Sequence, residues 1–155
     1  MILVNTYIFF SNFIKNIKIN KMLQLGEKYI YKFSYTQEQV NAFAEVTGDN
    51  NPVHLDKEYA EKTIFKRPIA HGMLGASILS KVFGTIFPGE GTIYLNQTLN
   101  FLRPMFVDQE YEAVFEVKEI VVEKNKAIIS TTIQNNEGKS VLTGEATIMN
   151  LEQIK

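Results

Sequence analysis

Two short segments hold the residue types that could do chemistry. Gly48-Asp49-Asn50-Asn51-Pro52-Val53-His54 sets a carboxylate and an imidazole five residues apart on a stretch stiffened by Pro52. If that loop curls back, both side chains can converge on one small molecule such as a water. An aspartate, with a reference pKa of about 3.9, and a histidine, at about 6.5, can then exchange protons with it near neutral pH. The spacing equally allows Asp49 to cap its own turn and His54 to sit satisfied in the core. The second segment, Arg67-Pro68-Ile69-Ala70-His71-Gly72, leads into a long apolar run. The first N–H groups of a helix are unpaired donors, the helix dipole favours negative charge beside them, and Gly72 lets a carbonyl oxygen come close. For His71 the simplest reading is an interior residue bonding backbone at the helix start.

The elements that must position these groups follow from periodicity and punctuation. Residues 27–35 alternate, with Tyr29, Tyr31 and Phe33 on one face, as a half-buried strand does. Thr36 with Gln39 forms a capping-box pattern, Val40, Phe43 and Ala44 give the apolar stripe of a helix, and Gly48 ends it. Residues 49–55 are expected as a loop rich in turn formers, after which Asp56 caps a short helix through Lys62. From His71 to Phe87 the chain is apolar nearly all round, the signature of a buried helix. Four strands, at about 92–102, 109–122, 126–134 and 139–150, complete the order, with turns short enough for antiparallel hairpins. Separate runs of helix and strand predict an α+β domain in which a five-stranded antiparallel sheet wraps the long helix. A sheet of this kind has exposed edges, so pairing into a dimer is expected.

Composition narrows the chemistry further. The 155 residues fit one domain, and 45% hydrophobic against 21% charged residues describes a foldable globule. A net charge of -1 gives no basic excess to hold nucleic acid. The absence of cysteine excludes disulfides, thiolate metal sites and thiol nucleophiles, and is compatible with a cytoplasmic location. Met1 to Ile14 is apolar but broken by Asn5, Thr6, Ser11 and Asn12, shorter than a bilayer span, and its lysines follow rather than precede it, so neither a membrane anchor nor an export signal is expected. Residues 1–21 are expected to be an extension outside the fold, with 22–155 forming the domain. The other reading makes them an extra helix or strand packed on it.

The segments GDNNPVHLD at 48–56 and RPIAHGML at 67–74 resemble the MaoC-like (R)-specific enoyl-CoA hydratases of the hot-dog fold superfamily, and the resemblance runs over about residues 24–150. It implies a homodimer that adds water, syn and reversibly, across the double bond of a trans-2-enoyl thioester. Asp49 and His54 would then be the catalytic pair holding the water, Asn51 would orient them, and Gly72 would supply the oxyanion-hole N–H. Ser80, two turns along the buried helix, would lie near the site, although such a serine can equally bond back to its own helix. Phe83 shares a face with Ser80 and would shorten the acyl pocket, giving a preference for about four to six carbons; otherwise it packs on the sheet. Lys66, Arg67 and Arg103 could meet the phosphates of coenzyme A, or simply be solvated. No metal or other cofactor is required, coenzyme A being part of the substrate. Where relatives commonly carry Gly-Asp after the Arg103–Val107 segment, this chain has Asp108-Gln109, a change confined to a turn. Two alternatives stay open: an acyl-carrier-protein dehydratase or thioesterase of the same fold, and a non-catalytic acyl-CoA-binding module. The first would be expected to show an acidic residue on the central helix, and there is none between His71 and Phe87.

Overall fold

Tyr29, Tyr31 and Phe33 alternate along β1 (Lys28–Phe33) and pack against the core, as their spacing requires. The computed structural model describes residues 21–155. The expected extension, residues 1–21, therefore lies outside the described residues except for Lys21, which is exposed and paired with Glu27. After β1, α1 (Gln37–Thr47) opens on the capping box: Thr36 Oγ1 accepts from the Gln39 N–H while the Gln39 side chain accepts from the Thr36 N–H. Gly48 closes it at φ 76°, a left-handed conformation that a glycine adopts without strain.

The turn-rich stretch that follows is not wholly loop. Pro52–Leu55 forms a four-residue helix, α2, because Pro52 can occupy a first helical position without losing a bonded N–H and Asn51 Oδ1 accepts from the Val53 N–H. Asp56 caps α3 (Lys57–Lys62) through the Tyr59 N–H, as expected. The long helix α4 spans Gly72–Thr85, ending short of the expected Phe87. Phe87 precedes Pro88, which disfavours helical backbone, and its ring leaves the helix line to stack on Tyr29 at 5.3 Å.

The remaining strands, β2 (Ile93–Phe101), β3 (Tyr111–Val121), β4 (Lys126–Asn135) and β5 (Ser140–Met149), join β1 in one antiparallel sheet of order β1-β3-β4-β5-β2. A single 3₁₀ turn over Val122–Lys124 connects β3 to β4 and is closed by Asn125 at φ 50°. Tyr111, Ala113, Phe115 and Val117 of β3, Ala127, Ile129 and Ile133 of β4, and Leu142, Ala146 and Ile148 of β5 are buried in one cluster with Leu79, Val82 and Phe83 of α4. Burial of each large side chain of this kind contributes about 1.5–3 kcal/mol, and so the sheet holds α4 along the core. This is the α+β arrangement that the element order predicts, and it agrees with the hot-dog fold that the resemblance implies. At the turn before β3, Asp108 takes φ 56° while its N–H donates to the Tyr35 carbonyl at 2.8 Å, so an aspartate tolerates the conformation for which a glycine is commonly used. No helix among the described residues is long and apolar enough to cross a membrane.

Candidate active site

His54 owes its place to α2, and α2 owes its place to its neighbours, since four residues cannot hold a helix alone. The Gln37 side chain donates to the His54 carbonyl at 3.0 Å, and the Ile69 N–H donates to the Val53 carbonyl at 3.3 Å. The His54 ring, 8% exposed, is fixed by Nδ1, which lies 2.8 Å from the Ile69 carbonyl oxygen. A carbonyl only accepts, so Nδ1 carries the proton and Nε2 presents a lone pair. Burial pushes the His54 pKa below the ordinary histidine value; the bond to Ile69 and the Asp49 charge oppose that shift, and the neighbouring His71 adds to it. The ring is thus held in the neutral, proton-accepting form.

Asp49 follows the left-handed Gly48, and its carboxylate is exposed. Asp49 Oδ1 accepts from the Asn51 N–H at 3.4 Å, while the Asn51 side chain caps α2. Asn51 thus contacts Asp49 through its backbone and caps the helix that carries His54. The Asp49 carbonyl accepts from His71 Nε2 at 2.9 Å. The His71 ring, 2% exposed, lies 3.8 Å from that of His54, with Phe43 of α1 5.0 Å away. One donor atom from each of Asp49, His54 and His71 falls within 4.8 Å of the others.

Gly72 begins α4 beside this group, and its N–H is one of the helix's unpaired first-turn donors. A methyl group at this position would meet the Phe101 ring at 2.9 Å, so the absence of a side chain lets that ring pack against the helix start. His54, Gly72, Phe101, Arg103, Met105 and Leu142 contribute to the lining of one largely apolar cleft of about 310 Å³. Arg103 is exposed at this cleft, with one guanidinium nitrogen on the Ser140 carbonyl. Lys66 and Arg67 are exposed on the preceding loop, Arg67 lying over the Phe106 ring at 3.8 Å, and neither lines the cleft. Ser80 is exposed on α4, about 12 Å along the axis from Gly72, with no contact to Asp49 or His54 among the described residues. Phe83, 1% exposed, packs edge-on against Tyr94 and Phe115, each at 5.1 Å, and is not part of the cleft lining. His54, Gly72 and Arg103 line the cleft, and Asp49 and Asn51 adjoin His54 without being part of that lining; Ser80, Phe83, Lys66 and Arg67 are not brought to this group.

A neutral imidazole and a helix-start N–H at an apolar cleft, with a loop carboxylate beside the imidazole, make a site for adding a small polar molecule to a carbonyl-bearing chain. The family described as "MaoC like domain" matches residues 19–139. This chain is a member of that family. It is 41% identical over 126 residues to the (R)-specific enoyl-CoA hydratase of Aeromonas caviae, covering 81% of this chain and 94% of that one. The 3-hydroxybutyryl-CoA dehydratase of Methylorubrum extorquens is 39% identical over 126 residues, covering 81% and 80%. Among solved structures, the R-hydratase PhaJ1 from Pseudomonas aeruginosa superposes with a TM-score of 0.80 at 45% identity, covering 84% of this chain and 83% of that one.

In this MaoC-like chain the two imidazole planes are 33° from parallel with centroids 3.8 Å apart. His54 Nδ1 and His71 Nε2 are committed to carbonyls. Gln37 and Phe43, which brace His54 and His71 from α1, escaped the sequence reading; both sit within an ordinary helical pattern, and only the tertiary packing gives them a site role.

Proposed function

We propose that this MaoC-like protein is an (R)-specific enoyl-CoA hydratase, a hydro-lyase that converts trans-2-enoyl-CoA and water to (R)-3-hydroxyacyl-CoA and back. The observation that carries the reading is the convergence of the Asp49 carboxylate and a His54 with a free Nε2 lone pair beside the Gly72 N–H. The two acceptors hold a water through its protons, and the Gly72 N–H draws charge onto the thioester oxygen, so that the β-carbon accepts the hydroxyl as the carbonyl takes on enolate character. The water's other proton passes to the pair and is delivered to the α-carbon. Both arrive from the face on which the pair lies, which is a syn addition. Every atom added comes from one water, so this reading needs no metal or redox cofactor. Arg103 at the cleft supports contact with a coenzyme A phosphate, with Lys66 and Arg67 as weaker supports from the adjoining loop. A cleft of about 310 Å³ lies at the small end of ligand sites and supports short acyl chains, which the activity in the name of the Methylorubrum relative also favours. Ser80 and Phe83 have no place in this account within a single chain.

The unit is proposed to be a homodimer formed along β2. That edge strand, IYLNQTLNF, bears no charge and exposes Ile93, Leu95 and Phe101, whereas the opposite edge, β1, carries Lys28 and Lys32. A substrate bearing phosphates does not cross a bilayer unaided, which favours a cytoplasmic enzyme. The test is hydration of crotonyl-CoA, followed as loss of the enoyl-thioester absorbance, together with Asp49→Asn and His54→Gln. Wild type should turn over, and each variant should lose a hundredfold or more, since general acid–base groups contribute about 10²–10⁴-fold. An inactive wild type, or folded variants at full rate, would end the hydratase reading. Rates should fall as the enoyl chain lengthens beyond about six carbons.

A further inference from the structure

We infer that His71 is a positioning residue that sets the geometry between the water-holding pair and the oxyanion donor, an inference that rests on the hydratase reading above. Three observations converge on this one residue. Its Nε2–H donates to the Asp49 carbonyl at 2.9 Å, fixing the backbone of the residue that bears the carboxylate. Its ring forms a shelf 3.8 Å from the His54 ring, braced behind by Phe43 at 5.0 Å. Its own backbone is the N-cap of α4, one peptide ahead of the Gly72 N–H. The Asp49 loop and α2 therefore meet on a single imidazole whose backbone opens α4.

A residue kept only for packing would not be built this way. With the proton on Nε2, the Nδ1 lone pair of His71 is buried with no hydrogen-bond partner among the described residues, and His71 supplies no side-chain cap to its helix. A buried unpaired acceptor is a cost that a phenylalanine at this site would avoid. What phenylalanine could not supply is a flat ring for His54 and a directed N–H for Asp49 together. The burial of His71 and its bond to a backbone oxygen keep it from reaching the reacting atoms, so it acts through the other two residues.

The test separates the ring from the donor. His71→Phe keeps the shelf and loses the N–H; His71→Gln places an amide N–H where Nε2 stands and loses the ring. In crotonyl-CoA hydration, His71→Phe should lower kcat by about tenfold to a hundredfold, as small misplacements of reacting groups do, with KM changed less than about twofold. His71→Gln should recover part of that loss. Since the chain has two histidines, ring-nitrogen NMR gives a second readout that needs no substrate. Wild type should show one Nδ1–H ring, His54, and one Nε2–H ring, His71, and His54 should lose its single tautomer in His71→Phe. A His71→Phe protein with unchanged kcat, or one whose loss lies wholly in KM, overturns the inference while leaving the hydratase reading intact. A wild type inert toward crotonyl-CoA fails the hydratase reading, and the His54 tautomer in the two variants then decides the positioning role alone.

Discussion

His54 combines burial with a single fixed hydrogen bond, and this has consequences with pH. Its pKa lies below the usual histidine value of 6.5, chiefly because burial disfavours the cation. The neutral ring that can accept from water therefore persists below pH 6.5, and the acid limb of kcat/KM for hydration should lie below that value; a limb centred above it would count against His54 as an acceptor. The same shift acts on stability. Between 6.5 and the lower folded value the unfolded chain binds the proton more readily, so this contribution to stability is intact above pH 6.5 and is lost as pH falls through the window, which an acid titration of Tm would show. Asp49, His54 and Gly72 were legible as site candidates in the sequence because each stands in a motif with unusual punctuation. The companion of Asp49 was not: the bond from His71 spans residues 22 apart in sequence, and only the fold shows that two histidines in different motifs share one stack.

At the level of elements, α1, α4 and the sheet could be read from periodicity and caps, since an amphipathic stripe and a capping box are local properties. The helix α2 could not, because proline, asparagine and aspartate serve turns and helix starts alike, and what decides is the tie to Ile69 and Gln37. Phe83 shows the same limit: its place on the helix was legible, but whether that face meets a pocket or the aromatic rings of Tyr94 and Phe115 is set by the sheet. The Asn51 cap gives a local prediction. Asn51→Ala removes the acceptor for the Val53 N–H and should cost about 1 kcal/mol, measurable as a drop in Tm. It should also lower kcat, because a looser α2 blurs the aim of His54; a variant that loses stability but keeps full kcat would show that the cap has no role in aiming the ring. Within the sheet, a methyl group on Gly144 would fall 1.8 Å from the Thr98 carbonyl oxygen, so Gly144→Ala should disrupt the β2–β5 pairing and lower stability by about 3 kcal/mol in a denaturant melt.

Across the whole molecule, the two edges of the sheet differ in character. β1 is guarded by Lys28 and Lys32, both paired with glutamates of the adjoining strand region, while β2 offers uncharged backbone flanked by Ile93 at 49% and Leu95 at 44% exposure. Leu95→Lys should therefore shift the sedimentation of the proposed dimer towards monomer, whereas Ile30→Lys on β1 should leave it unchanged. Leu95 sits where the β2–β5 register slips, so its side chain can change without breaking that ladder. The proposed acid–base pair rests on a four-residue helix and an exposed loop, while Gly72, the proposed carbonyl-binding residue, opens a helix sunk in the core. That half of the proposed site should therefore open before the sheet does. Amide hydrogens around Asp49 and Val53 should exchange with solvent well before those of β3 and β4, and mild urea should silence the enzyme while the sheet is still intact.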